Sequence, residues 1–442
     1  MVSRRETTRR RAVMLTGGAL VAALGGCGVN VRRAGEATPG DAADSTVDTP
    51  GATKSPGGTE SPGGGVEAEP ASNASPAGPA GGREGTRIGD GSTYDTGPQP
   101  GQPTLPDLIP GQPPPQFVVF SWDGAGETDS AQLTRFRKVA QETGASMTLF
   151  LSGLYLMRGA DAKRYRPPRN GVGRSDIPFL GDESVRRTIE GIGAAWVEGH
   201  EIGTHFNGHF CGGSGGVGNW SAADWKSEIE QAIWMVTNWR TTTGWDDLPA
   251  LPFDYTKELI GGRTPCLMGQ KALIPTAAEL GWRYDSSVGG TQIWPSRFDG
   301  TAVWDLPLAQ VPFPGHTFEV LAMDYNYMAN QSGPQPVKET MNYEKSGDEA
   351  YGALMAGHER ALAGNRAPLI IGNHFEQWNG GIYMDAVEKA MRTMSKDDQT
   401  HLVSFRQLVD WLDRQDPLLL HALRQLPVGA APTGGWEHLS AE

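Results

Sequence analysis

The sequence predicts an α/β fold built on a largely parallel sheet, open or closed into a barrel. Short, strongly apolar runs of strand length alternate with stretches whose apolar residues recur at helical spacing. Trp, Tyr, Phe and branched aliphatics set in from about Gln116 and continue without a second linker, so the folded part is one block. Two of the apolar runs end at an Asp and a His, the carboxyl-end position where chemistry collects in parallel α/β folds.

The elements follow in chain order. Phe117-Val118-Val119-Phe120 reads as a buried strand meeting a turn at Asp123-Gly124. Met147-Thr148-Leu149-Phe150-Leu151 is a second strand, closed by Ser152-Gly153. Val185, Ile189, Ile192 and Trp196 mark an amphipathic helix. Trp225, Ile229, Ile233 and Val236 mark another, with Ser221 as its N-cap. Leu369-Ile370-Ile371 is a late buried strand running into His374, and Phe405, Leu408, Val409 and Leu412 form a closing helix. Roughly 310 residues suit one large α/β domain. The domain is placed at residues 115–415, with 416–442 as a C-terminal tail.

The front of the chain carries export signals. Arg9, Arg10 and Arg11 precede an apolar run from Ala12 to Leu24, too short for a membrane span but suited to a secretory signal. Thr8-Arg9-Arg10 resembles a twin-arginine signal, and Leu24-Gly25-Gly26-Cys27 resembles the lipobox of bacterial lipoproteins. That resemblance implies cleavage before Cys27 and its acylation, hence an exported membrane lipoprotein facing the cell wall. Residues 1–27 are read as this signal peptide, and residues 28–114, rich in Gly, Pro, Ala and Ser, as a disordered tether. Such a coil reaches on the order of 50 Å. The formal net charge of −13 argues against nucleic acid as a partner. Three cysteines is an odd number; with Cys27 acylated, Cys211 and Cys266 remain as a candidate disulfide.

The strongest local signal is His205-Phe206-Asn207-Gly208-His209, preceded by Gly199-His200-Glu201-Ile202-Gly203. Imidazoles at i and i+4 on one helical face can converge on a metal, and with a carboxylate they suit zinc with an open coordination position. From about residue 116 to 412 the order of motifs resembles the polysaccharide deacetylase family, the NodB-homology domain of carbohydrate esterase family four. Phe120-Ser121-Trp122-Asp123-Gly124 stands where that family has Thr-Phe-Asp-Asp-Gly. His205 to His209 stands at its His-Ser/Thr-x-x-His motif, with Phe206 in the hydroxyl position. Arg263-Thr264-Pro265-Cys266 matches its Arg-x-Pro run, Gly281 to Ser287 the strand that follows, and His374 its last histidine. Insertions fall near residues 154–182 and 210–220.

The resemblance implies a distorted (β/α) barrel and a zinc-dependent hydrolase removing acetyl groups, N-acetyl above all, from a polysaccharide such as peptidoglycan or a chitin-like polymer. Carried over, Asp123, His205 and His209 hold Zn2+ (or another divalent transition metal) and His374 is the general acid. A backbone N–H after Pro265, that of Cys266, helps hold the oxyanion. Asp324 orients the acid histidine, with Asp285 as the competing candidate for that role. Trp122, Trp220, Trp282, Trp378 and Tyr383 bring aromatic faces that suit either core or sugar stacking; Trp378 is the one expected to wall the site.

One departure stands out. The family uses the first Asp of its pair as base and the second as metal ligand, and its motif arginine, here Arg263, pairs with the base. Aligned without a gap, Trp122 replaces the base and Asp123 is the ligand. Shifted by one, Asp123 becomes the base and a zinc ligand is lost. Glu127, Asp129 or Glu376 could substitute for a missing base. The alternatives to an N-deacetylase are an O-acetyl esterase and a catalytically impaired glycan-binding lipoprotein.

Overall fold

The computed structural model describes residues 85–333 and 341–439. The expected signal peptide, the expected lipidation site Cys27 and most of the expected tether lie outside them. Strands β1 (Thr86–Ile88) and β2 (Thr93–Asp95) form a small antiparallel hairpin. The main sheet contains β3 (Gln116–Gly124), β4 (Thr148–Leu151), β5 (Glu201–Thr204), β6 (Gly261–Gly262) and β7 (Tyr284–Asp285). After β8 (Gly289–Gly290) come β9 (Ser296–Arg297), β10 (Trp304–Asp305), β11 (Leu308–Pro312) and β12 (Glu319–Leu321). The last strands are β13 (Leu369–His374) and β14 (Thr400–Leu402). The main order is β13-β3-β4-β5-β6-β7-β10-β9, parallel except for the last pair, with β14 also pairing β3.

Irregular chain carries the sheet round. Leu308 N–H donates to Val288 O, Ala322 N–H to Ala309 O, and Gly372 N–H to Ala322 O, so β11 and the segment after β12 bridge back to β13. The result is the distorted barrel that the motif order implied.

The helices are α1 (Gln132–Thr143), α2 (Asp182–Val197), α3 (Ala222–Thr237), α4 (Trp239–Thr243), α5 (Tyr255–Glu258) and α6 (Gln270–Glu279). They continue with α7 (Asp324–Gln331), α8 (Tyr343–Ala363), α9 (Ile382–Met394), α10 (Phe405–Arg414) and α11 (Pro417–Arg424). The expected Ser221 cap is present as a full capping box with Asp224. No helix among the described residues is long and apolar enough to cross a membrane.

Strand β3 sets the geometry of the site. Its side chains alternate between two packed apolar clusters: Val118, Phe120 and Trp122 join one, Phe117 and Val119 the other. Asp123 therefore shares its face with Ser121, and Trp122 points the opposite way.

Three expectations change. Residues 85–114, assigned to the tether, are partly ordered against the domain. Trp239 Nε1–H donates to Ser92 O at 2.8 Å, Trp411 Nε1–H to Pro106 O at 2.7 Å, and Leu105 is buried. The segment has few apolar groups, but the domain satisfies its backbone. The tail from residue 416 likewise contains α11, which buries Leu419, Leu420 and Leu423 after an Asp416 cap and Pro417 in its first turn. Thirdly, His205 to His209 is a loop rather than a helical face, with φ of +60° at Phe206 and +55° at His209.

Candidate active site

Four strand ends supply the polar residues. Asp123 ends β3, His205 follows β5, Arg263 follows β6, and His374 ends β13. Asp123 and His374 are register partners on adjacent parallel strands, so both project from one face.

Arg263 is fully buried and fixed at every nitrogen. Its Nη1 donates to Asp123 Oδ1 at 2.8 Å and to Ser121 Oγ at 2.9 Å, while Nε and Nη2 donate to Ser286 O and Oγ. Its guanidinium also lies 4.8 Å from the centre of the Phe150 ring. Burial pushes the Asp123 carboxyl up, but the positive charges facing it, Arg263 first and then His374, outweigh it, and the pKa lies below the ordinary value. Asp123 is a carboxylate held ionised in an apolar surround.

Trp122 is away from the site. It is fully buried, stacked on Phe375 at 5.5 Å and against Phe136 at 4.8 Å. Arg263 thus pairs with Asp123, which the alignment shifted by one gives the place of the base. The position left without a carboxylate is then Gly124, at φ +89°, where a Cβ would lie 3.3 Å from the Tyr155 ring.

The acid side is a buried pair. His374 Nδ1 lies 2.8 Å from Asp324 Oδ1, and the His374 backbone N–H donates to Oδ2 at 2.7 Å. Burial alone lowers the His374 pKa, yet Asp324, with smaller help from Asp123 and Glu376, raises it to about 9. The imidazole is protonated at neutral pH and keeps Nε2–H free of that pair. Asp285, the competing orienter, instead holds Ser287 and Gln270.

His205 Nδ1 lies 2.8 Å from the Arg263 carbonyl, which can only accept, so Nδ1 carries the proton. Its Nε2 then bears a lone pair, and that atom is buried without a partner. Burial keeps both imidazoles of the motif neutral; for His209, where burial is the largest cause and the His374 charge adds to it, the pKa falls to about 3. The rings lie 5.0 Å apart. Two neutral imidazoles, one with an orphaned lone pair, fit a transition metal. The expected third ligand fits less well, because Asp123 is engaged by Arg263. Among the described residues, the one group of three His, Cys, Asp or Glu whose ligand atoms all lie within 4.8 Å of one another is His209, Cys211 and Cys266.

Cys211 and Cys266 form a disulfide, Cα to Cα 5.8 Å. It ties the loop after β5 to the turn after Pro265, where Cys266 has φ +57°. Trp378 is partly exposed, its ring 5.1 Å from that of His374. Trp220, Trp282 and Tyr383 are core residues. Of the substitute bases, Glu127 accepts from Thr134 N–H and Oγ1–H, and Asp129 pairs with Arg187.

The sequence reading missed the residues that hold these groups in place. Ser121 and Ser286 cradle Arg263. Glu228, pushed up to about 7 by burial, accepts from Tyr165 Oη–H at 2.8 Å, and Tyr165 Oη accepts from Gly208 N–H beneath the histidine loop. Only Ser121 left a signal, as a polar residue two positions before Asp123 on a buried strand.

No family profile matches the chain, and no curated protein does. Solved structures do. A protein from Mycobacterium smegmatis assigned as a polysaccharide deacetylase matches at TM-score 0.43 and 14% identity over 70% of this chain and 94% of its own. Puue allantoinase matches at TM-score 0.41 and 12% identity, over 69% and 92%. A CE4 family pseudoenzyme from Bacillus anthracis matches at TM-score 0.35 and 10% identity, over 70% of each. At such identities and scores, what the site can do follows from the residues it holds. The distorted parallel barrel gathers Asp123, His205, Arg263 and His374 at the carboxyl ends of β3, β5, β6 and β13.

Proposed function

We propose that the domain hydrolyses acetyl groups from a glycan, N-acetyl groups of a cell-envelope or extracellular polysaccharide above all. The observation that carries this reading is the pairing of opposite proton states across one strand pair. Asp123 is held ionised by Arg263, and the neighbouring His374 is held protonated by Asp324. A base and an acid side by side is what hydrolysis of an amide requires.

Asp123 takes a proton from the attacking water at the carboxylate oxygen that Arg263 leaves free. His374 delivers the Nε2 proton to the departing amine as the tetrahedral intermediate collapses. The Cys266 N–H, in the turn after Pro265, is the expected donor to the oxyanion. Trp378 offers an aromatic wall beside His374 for a sugar ring. His205 and His209 would hold the divalent metal, zinc by preference for imidazole ligands. When bound, such an ion polarises the acetyl carbonyl and lowers the pKa of water. Glu376, exposed beside His374, is not needed as a substitute base.

The lipobox, export signal and tether support a lipid-anchored protein acting on the cell wall. An O-acetyl esterase uses the same groups with less demand on the acid, because an alcohol leaves more easily than an amine.

Acetate release from N-acetylated and O-acetylated glycans, measured with the chain metal-free and zinc-loaded, tests the proposal. Release that His374→Ala abolishes is expected. No release from any acetylated glycan by a folded, zinc-loaded chain would leave a glycan-binding domain instead.

A further inference from the structure

The disulfide lies unusually close to the site. Cys211 Sγ is 3.5 Å from His209 Nδ1, and one imidazole nitrogen of His209 and both sulfurs all lie within 4.8 Å of one another. Two sulfurs and an imidazole nitrogen are the donors of a soft-metal centre once the sulfurs are thiolates. Both cysteines are partly exposed, so a reductant can reach the bond. Zn–S bonds of about 2.3 Å at a tetrahedral angle separate two sulfurs by about 4 Å. The Cα atoms, 5.8 Å apart, already allow that span. The adjoining loop is able to give: Gly212 and Gly213 follow Cys211 in open space, where even an added Cβ would meet nothing.

We propose that reducing the Cys211–Cys266 bond turns the mouth of the site into a second metal centre, in which both thiolates and His209 Nδ1 bind one zinc ion. The bond between the sulfurs breaks on uptake of two electrons and two protons from a dithiol, which becomes a disulfide. The two thiols then lose their protons to solvent as the ion binds. A water completes the tetrahedron. His209 is the shared element: drawn to the sulfurs, it leaves His205 without its partner imidazole. The disulfide is therefore a redox gate on the histidine pair, open when oxidised.

The test uses the full-length chain carrying Cys27→Ser, so that only this pair supplies thiols, with cobalt(II) as a spectroscopic stand-in. After reduction by a phosphine, a thiolate-to-cobalt charge-transfer absorption is expected that the oxidised chain lacks and that one equivalent of zinc removes. It disappears in Cys211→Ser, and in His209→Ala the cobalt concentration that half-saturates this thiolate band rises at least about tenfold. Near-ultraviolet circular dichroism monitors the fold. A reduced, folded chain without the absorption overturns the proposal, as does a thiolate band whose cobalt dependence His209→Ala leaves unchanged. Cobalt binding only with loss of the near-ultraviolet signal also overturns it, since the thiols would then bind without the fold. No arm depends on acetyl hydrolysis, so this inference and the deacetylase reading fail separately.

Discussion

Asp324→Asn separates the acid histidine from its charge while keeping the shape of its partner. Asp324 is 1% exposed and its two oxygens hold His374 at Nδ1 and at the backbone N–H. An amide keeps one oxygen as acceptor but removes the charge that opposes burial. The His374 pKa, now about 9, then falls to its ordinary 6.5 or below. At pH 8 the protonated fraction drops from about nine-tenths to about 3%, a loss of roughly 30-fold in an acid-dependent rate. Below pH 6 the gap closes to a few-fold, because both enzymes are then protonated. Stability follows the same linkage. A raised histidine pKa stabilises the fold fully below about 6.5, and that contribution is lost as pH rises through about 9. The variant lacks this pH dependence of stability. Rates of acetate release across pH 5 to 10, with an NMR titration of the His374 ring, measure both quantities. An alkaline limb that stays near 9, or an equal loss at every pH, would refute the assignment of Asp324 and His374 as a charge-coupled acid.

Substitutions at three other positions probe the remaining groups. Trp122→Asp places a carboxylate between Phe136 and Phe375 and costs about 5 kcal/mol or more, so it yields unfolded chain, whereas Trp122→Phe leaves activity within a few-fold; thermal melts and acetate release decide. Arg263→Ala strands the buried Asp123 charge at a cost of about 3–5 kcal/mol and moves the acid limb of the rate profile upward, seen by thermal denaturation and pH–rate curves. Gly124→Asp costs about 1–3 kcal/mol in backbone strain at φ +89° but returns a carboxylate to the strand end. Its zinc affinity by calorimetry rises at least about tenfold; unchanged affinity in a folded variant means that the new carboxylate does not reach the histidine pair.

What the sequence made legible were elements whose residues carry a strong period. β3 and β13 are long and buried on both faces, and α10 has a sharp apolar stripe, so each announced itself. Pairs such as Gly261–Gly262 and Ser296–Arg297 form strands only because neighbours supply the partners, and two residues carry no period to read. The hairpin at 86–95 was hidden in the same way, inside a Gly- and Pro-rich composition whose anchors are backbone groups and a few polar side chains such as Asp90 and Ser92. At the site, the strand-end positions of Asp123 and His374 were readable. The conformation of His205 to His209 was not, because positive φ at Phe206 and His209 is imposed by packing, with Phe206 4.7 Å from the Trp225 ring.

The register of the first motif turned on one residue, and that residue decides which chemistry the chain lacks. In a strand, a slip of one exchanges the two faces. Were Trp122 in the base position, the site would keep its metal carboxylate and lose its proton acceptor, giving tight zinc binding and slow hydrolysis. With Trp122 packed in the core and Asp123 paired to Arg263, the proposed reading keeps the proton acceptor and loses a carboxylate ligand at Gly124. A site of that kind is expected to bind zinc weakly through imidazoles but to turn over well once loaded. Zinc titration of activity distinguishes the two. A rate that climbs steadily with zinc concentration and reaches a high plateau belongs to the missing ligand. A low plateau, filled at stoichiometric zinc, belongs to the missing base and would contradict the Arg263–Asp123 geometry.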